Sequence, residues 1–184
     1  EAIALYNKVR EADVPKPRRL EATRGAIVAS GKEGVPLLVE QLRSTDKQFL
    51  QIGLSVAREL PGTEVDEAVA AALNEATPDR AALLMYALAD RNLTSVPAGV
   101  VAAASKGDKP VRIAAINLVG RRGTAANLTA LVKIAAESDV EIASAAMEAL
   151  ANLPGDDVNA AIVDQLTKAD STSLPIIIAL IGER

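Results

Sequence analysis

Apolar residues recur along this chain at spacings of three and four, the pattern of helices that each bury one stripe. The clearest stretch runs from Asp108 to Pro154. Asp108-Lys109-Pro110 opens a helix that ends near Arg121-Arg122-Gly123. A second helix runs from about Ala126 to Glu137, and Asp139 opens a third, Val140–Leu153, closed by Pro154-Gly155. The alternation continues in both directions, and we name the two helices of each pair A and B. The A helices are expected at about Ala2–Glu11, Val35–Arg43, Val65–Glu75, Val96–Ser105, Ala126–Glu137 and Asp157–Lys168. The B helices are expected at about Arg18–Ser30, Lys47–Leu60, Asp79–Arg91, Pro110–Arg121, Val140–Leu153 and Thr172–Ile181. The reading is therefore all-α, with six antiparallel pairs.

Two landmarks carry a common period. Asp46, Thr77, Asp108, Asp139 and Asp170 stand 31 residues apart, and the preceding step lands on Pro15, inside Val14-Pro15-Lys16-Pro17. Gly31, Gly62, Leu93, Thr124 (beside Gly123) and Gly155 follow the same step. One period in two separate features points to a repeat array that is one continuous body. Its units fall at about 1–31, 32–62, 63–93, 94–124, 125–155 and 156–184. Asp108, Asp139 and Thr77 suit N-caps, and Pro78 and Pro110 suit a first helical turn. Gly31, Gly62, Gly123 and Gly155 fall where a left-handed residue ends a helix.

Columns at this period stay apolar. One B column is Ala22, Gly53, Leu84, Ala115, Ala146, Ile177; four residues on it is Ala26, Ala57, Leu88, Val119, Leu150, Ile181. An A column is Leu38, Val69, Val100, Leu131, Ile162. These columns form the expected core, and each pair needs its neighbours to cover it.

The stretches Asp108-Lys109-Pro110-Val111-Arg112-Ile113-Ala114-Ala115-Ile116-Asn117-Leu118-Val119-Gly120 and Asp139-Val140-Glu141-Ile142-Ala143-Ser144-Ala145-Ala146-Met147-Glu148-Ala149-Leu150 resemble the short bacterial HEAT-like repeats of the phycobilisome-lyase kind. The first follows that family's D-x-x-V-R-x-A-A-x-x-A-L-G pattern, and the second follows it without the usual arginine. The resemblance is best from Asp46 to Gly155. It implies a right-handed α-solenoid whose B helices line a concave face, a binding or scaffolding role, and no common catalytic residue. The Trp-Leu-Gly-Tyr signature of tetratricopeptide repeats and the Thr-Pro-Leu-His turn of ankyrins are absent.

Composition narrows the chemistry. Hydrophobic residues make up 49% of the chain but aromatics only 2%, so the core must be built from Ala, Leu, Val and Ile. A net charge of −4 argues against general nucleic-acid binding. With no cysteine and no histidine there is no disulfide framework, no thiolate and no imidazole base or ligand. No apolar run is long enough to span a membrane, and no signal peptide is visible. Glu1 in place of a start methionine suggests a mature product or a piece of a longer protein, cytoplasmic or exported.

If the columns are buried, the B residues two positions beyond the first column face outward. That ridge reads Arg24, Ser55, Tyr86, Asn117, Glu148, Ala179, and four residues on it reads Val28, Glu59, Asp90, Arg121, Asn152, Glu183. An ordinary solvated face has the same polarity, so Tyr86 is the sharpest candidate: an exposed aromatic is a favoured interface anchor. Its alternative is a gap-filler beside Met85. The basic cluster Arg10, Lys16, Arg18, Arg19, Arg24 is a candidate for phosphate or an acidic partner. Arg18 and Arg19 stand at a helix start against the helix dipole, so something else must favour them there. Asp156-Asp157 and Glu64-Asp66-Glu67 lie at helix starts, where capping accounts for them, and no metal is expected. Gly31-Lys32-Glu33-Gly34 lacks the ending of a phosphate loop. No nucleophile has a base beside it, and no cofactor is expected.

The leading expectation is a non-catalytic scaffold that binds a protein or peptide on its B-helix face. A structural spacer within a larger protein is the alternative, and a HEAT-like lyase or nucleic-acid-binding protein a weaker one. The helix around Leu174, Ile176, Ile178 and Leu180 is apolar nearly all round, and is expected to be covered by further chain or by another molecule.

Overall fold

A computed structural model describes all residues from Glu1 to Arg184 as twelve α-helices and two short 3-10 turns, with no strand. They gather into two compact units, Glu1–Asn92 and Leu93–Arg184. The first unit holds α1 (Ala2–Glu11), α2 (Lys16–Ser30), α3 (Val35–Arg43), α4 (Lys47–Glu59), α5 (Thr63–Asn74) and α6 (Pro78–Ala89). The second holds α7 (Ala98–Ser105), α8 (Lys109–Arg122), α9 (Leu128–Ala135), α10 (Val140–Asn152), α11 (Asp157–Lys168) and α12 (Leu174–Glu183).

Each unit is three helix pairs. In the first, α1 packs on α2, α3 on α4 and α5 on α6; α4 lies against both α2 and α6, and α3 against α5. In the second, α7 packs on α8, α9 on α10 and α11 on α12, with α10 against α8 and α12, and α9 against α7 and α11. The even-numbered helices are the expected B helices, and the odd-numbered ones the A helices.

Local chemistry explains the shifted boundaries. α7 starts at Ala98 rather than Val96 because Pro97 is extended (φ −60°, ψ 145°) and pushes the residue before it out of the helical region. The expected Ala126–Glu137 helix opens as a 3-10 turn, Ala125–Asn127, closed by a capping box between Thr124 and Asn127 before α9 begins. α12 starts at Leu174 rather than Thr172 because Asp170 folds a turn first. Its Oδ1 accepts from the Thr172 and Ser173 amides at 3.1 and 2.8 Å.

The caps divide. Asp139 accepts from the Glu141 and Ile142 amides, and Asp46 from Gln48. Asp108 and Thr77 occupy N-cap positions but make no side-chain cap bond. Pro78 and Pro110 do sit in first turns. Gly31, Gly62 and Gly155 have positive φ, whereas Gly123 has φ −72° and needs no left-handed freedom. The acids at helix starts do not cap either: α5 and α11 lack side-chain cap bonds.

The apolar columns are the core. The A column Leu38, Val69, Val100, Leu131, Ile162 is at most 4% exposed, and the first B column is likewise buried. In the second B column Ala26, Ala57, Leu88, Val119 and Leu150 are buried, but Ile181 is 47% exposed, because nothing packs on that side of α12. The last helix also departs from expectation at Leu180, which is fully buried with Ile177 inside the second unit. The residues α12 leaves outside are Leu174, Ile178 and Ile181, with Ile176 half-buried.

Small residues let helix axes approach. At Gly120 of α8 an added Cβ would stand 2.7 Å from Cα of Ala149 on α10, a backbone atom with no freedom to move aside. Gly120→Ala separates two opposed effects. Inside an unobstructed helix the change stabilises by about 0.5–1 kcal/mol; against α10 it should instead destabilise, by about 1–3 kcal/mol. Urea denaturation reads the sign, and a raised midpoint would show that α8 and α10 do not approach this closely.

Arginines tie the helix ends together. The last carbonyls of a helix lack intrahelical donors and carry its negative pole. Arg80 donates to the Arg43 and Ser44 carbonyls at the end of α3, at 2.8 and 2.9 Å. Arg112 donates to Ala104 O of α7 at 2.9 Å and pairs with Glu137 at 2.6 Å. Arg91 reaches the end of α4, donating to Ala57 O and, at 2.8 Å, Leu60 O, while its Nε meets Asp66 of α5. Arg184 repeats this in the second unit, with the carbonyls of Leu150, Ala151 and Leu153 at the end of α10, all at 3.1 Å, and Asn159 of α11 at 3.0 Å. The two sets correspond residue for residue: Arg91, Ala57, Leu60 and Asp66 lie 93 positions before Arg184, Leu150, Leu153 and Asn159.

Candidate partner-binding faces

The outward ridge of the even-numbered helices divides between the units. In the first, Arg24 on α2, Glu59 on α4, and Tyr86 and Asp90 on or just after α6 are exposed, and Ser55 is half-buried. These side chains are already engaged with one another. Arg24 pairs with Glu59, and Ser55 Oγ donates to Glu59 at 3.0 Å. Arg58 pairs with Asp90 at 2.8 Å and donates to Leu54 O at 3.1 Å. Exposed pairs of this kind add little stability, so they orient side chains more than they hold helices. Tyr86 has 67% of its surface exposed while neighbouring Met85 is buried, which rules out the gap-filling role. Leu83, one turn before it on the same stripe, is 42% exposed, so α6 shows water an apolar step next to a charged one.

In the second unit the ridge residues come together. Asn117 and Arg121 on α8, with Glu148 and Asn152 on α10, line one small recess of about 100 Å³ floored by Gly120 and Ala149. The close packing at Gly120 is what brings the two helices near enough to form it. Beside it lies an open groove of about 620 Å³ that shares Asn117 and Glu148 and adds apolar Ile113 and Met147, with Glu183 of α12 at its end. Arg121, Glu148 and Glu183 form no ion pair, so this face, unlike the first, keeps uncommitted charges. Asn152 Nδ2 donates to Glu148 O at 3.0 Å, which leaves its carbonyl oxygen free to accept.

Lys109 holds Glu141, which lines the groove. It bridges Glu141 at 2.8 Å and Asp139 at 3.0 Å. Glu141, then Asp139, holds the ammonium above its ordinary range. The Asp139 carboxyl is in turn held below the usual carboxylate range, first by Lys109 and then by the Ile142 amide. Asp46 is lowered in the same way by Lys16 and then by the Gln48 amide.

The basic cluster does not act as one group. Lys16 pairs with Asp46 and Arg24 with Glu59; Arg18 is exposed and unpaired. Arg10 and Arg19 open onto a separate cavity in the first unit. Arg121 and Arg122 lie exposed at the end of α8. Glu64-Asp66-Glu67 splits, because Asp66 is the buried partner of Arg91 and not a capping acid. Sequence reasoning placed Arg91 only at a helix end. A signal for it exists in hindsight: Leu60-Pro61-Gly62 and Leu153-Pro154-Gly155 are each followed by an arginine 29 residues after the glycine. No three acids gather at metal-binding distance, and no helix is long and apolar enough to cross a membrane. No family model matches this chain, and no curated protein matches it.

Proposed function

We propose that the chain is a non-catalytic protein-interaction module, each unit a segment of HEAT-like α-solenoid that presents its even-numbered helices to a protein or peptide. One observation supports this most: four ridge residues on two helices, Asn117, Arg121, Glu148 and Asn152, surround one recess and adjoin a larger groove with an apolar floor. Amide groups that both donate and accept, next to uncommitted charge and apolar surface, are the components of a peptide-binding face. Tyr86 gives the first unit an exposed anchor of its own.

The test is a random peptide library selected on the intact chain, with the selected peptides titrated against variants. Tyr86→Ala or Arg121→Glu should weaken at least one class of selected peptide about tenfold or more, the size expected of an anchor residue. Full affinity in both variants for every selected peptide would remove the ridge from the proposal. A spacer role is the second reading, favoured by the way Arg24–Glu59 and Arg58–Asp90 satisfy each other in the first unit. A spacer would yield no peptide sensitive to either substitution.

A further inference from the structure

The first unit contains a second polar site, away from the ridge. A cavity of about 460 Å³ lies where the end of α1, the start of α2 and the end of α3 meet the turn into α4. Three guanidinium groups line it: Arg10 from α1, Arg19 from α2 and Arg43 from α3. Two carboxylates, Glu11 and Glu40, also line it, and neither lies within ion-pairing distance of any cation. The lining residues carry one positive charge in excess, and the pairing of Arg43 with Glu75 brings the local sum to zero.

Two of the three arginines are underused as donors. Arg10 donates only from Nη1, to Asn7 Oδ1 at 3.2 Å, and its Nε is the one buried side-chain polar atom in the whole chain with no hydrogen-bond partner. Arg19 forms no ion pair; it lies in the first turn of α2, where the helix field is already positive. Arg43 keeps one arm on Glu75 at 2.6 Å. The wall behind them is built and rigid. Gln41 is 4% exposed and anchored by its amide nitrogen to Leu37 O at 3.3 Å, and Thr23 is 2% exposed with its hydroxyl on Arg19 O at 2.8 Å. Arg10 Nε is itself closed off from solvent, so a ligand in the cavity would meet the terminal nitrogens of the arginines instead. Arginines at the positive end of a helix are disfavoured unless something there compensates them.

We infer that this cavity binds a small oxyanion, a carboxylate or a phosphate, on Arg10 and Arg19. Planar guanidinium groups present forked N–H donors that match the paired oxygens of either anion. Glu11 and Glu40 limit the site to a ligand of low charge, and they suit one that carries hydroxyl or ammonium groups away from its oxyanion. The cavity admits a metabolite-sized molecule and not a folded partner.

The test uses the intact chain labelled with nitrogen-15 and follows the arginine Nε–H signals. Inorganic phosphate and acetate are added separately at ionic strength held constant with chloride. Saturable movement of the Arg10 and Arg19 signals by one or both anions is expected, and which of them acts tells phosphate from carboxylate. Arg19→Gln should weaken that binding about tenfold, the loss of one charge-assisted contact. Arg18→Gln removes the same charge one residue away, outside the cavity lining, and should leave it nearly unchanged. Glu40→Gln should tighten it, a gain that misfolding cannot imitate. No saturable movement with either anion, or equal losses in Arg18→Gln and Arg19→Gln, would overturn the assignment.

Discussion

Arg91→Ala is expected to lower the stability of the first unit by about 3–5 kcal/mol, the cost of breaking one partner out of a buried ion pair. The side chains of Arg91 and Asp66 are only 6% and 11% exposed. Without the guanidinium, Asp66 becomes a buried charge with no counterion, and the carbonyls at the end of α4 lose donors that water cannot easily replace. Arg91→Lys should recover little, because an ammonium on a flexible stem cannot span α4 and Asp66 together as the guanidinium does. The double replacement Arg91→Met with Asp66→Leu is the sharper comparison. It removes both charges and should be far less damaging than Arg91→Ala, since a hydrophobic pair of similar volume often matches a buried salt bridge. Urea denaturation measures all three. An unchanged midpoint for Arg91→Ala would mean that the arginine does not tie α4 to α5.

Leu131→Asp is expected to unfold the second unit at room temperature. Leu131 lies on α9 with 1% of its surface exposed, and α9 packs against α10, α7 and α11. Truncating such a leucine to alanine alone costs about 2–5 kcal/mol. The aspartate adds either a buried charge or the cost of neutralising it. That sum is comparable to the whole stability of a small domain, about 5–15 kcal/mol. Circular dichroism should show helical signal lost in proportion to one unit or more. Leu83→Asp is the matched control: Leu83 is 42% exposed on α6, and a surface substitution there should stay within about 0.5 kcal/mol. A native helical signal and melting point for Leu131→Asp would contradict the burial of that column.

Much of the fold was legible because it is set by short-range physics. Ala2–Glu11, Val35–Arg43 and Asp157–Lys168 are helices at the boundaries the pattern predicts. Spacing of three and four identified Leu38, Leu84, Leu131 and Ile177 as core, because a helix turns by a fixed amount per residue wherever it lies. Errors gathered where a competing local interaction had to be weighed. Asp108 and Thr77 have the chemistry of caps but not the bonds, and Gly123 ends α8 in an extended conformation, where a glycine is needed for space rather than for backbone freedom: a Cβ would stand 2.5 Å from Val119 O.

The candidate faces were legible only in part. Counting around the helix placed Tyr86, Glu148 and Arg121 outside, but could not say that Glu59 and Asp90 are already held by arginines while Glu148 is not. Nor could it separate Leu180, which turns inward, from Ile181 beside it, since both are apolar and only the neighbour's position distinguishes them.

By itself, then, the order of residues determined the helices, most of their ends and the stripe each one buries, since those depend on groups within a turn or two of one another. Tertiary structure alone decided which charges meet. Arg91 finds Asp66 25 residues back and Ala57 34 back, and Arg10, Arg19 and Arg43 open onto one cavity from three helices. Those meetings depend on how far each helix is rotated and advanced against the next, which is set by packing at places such as Gly53 and Gly120, where no side chain holds the backbones apart.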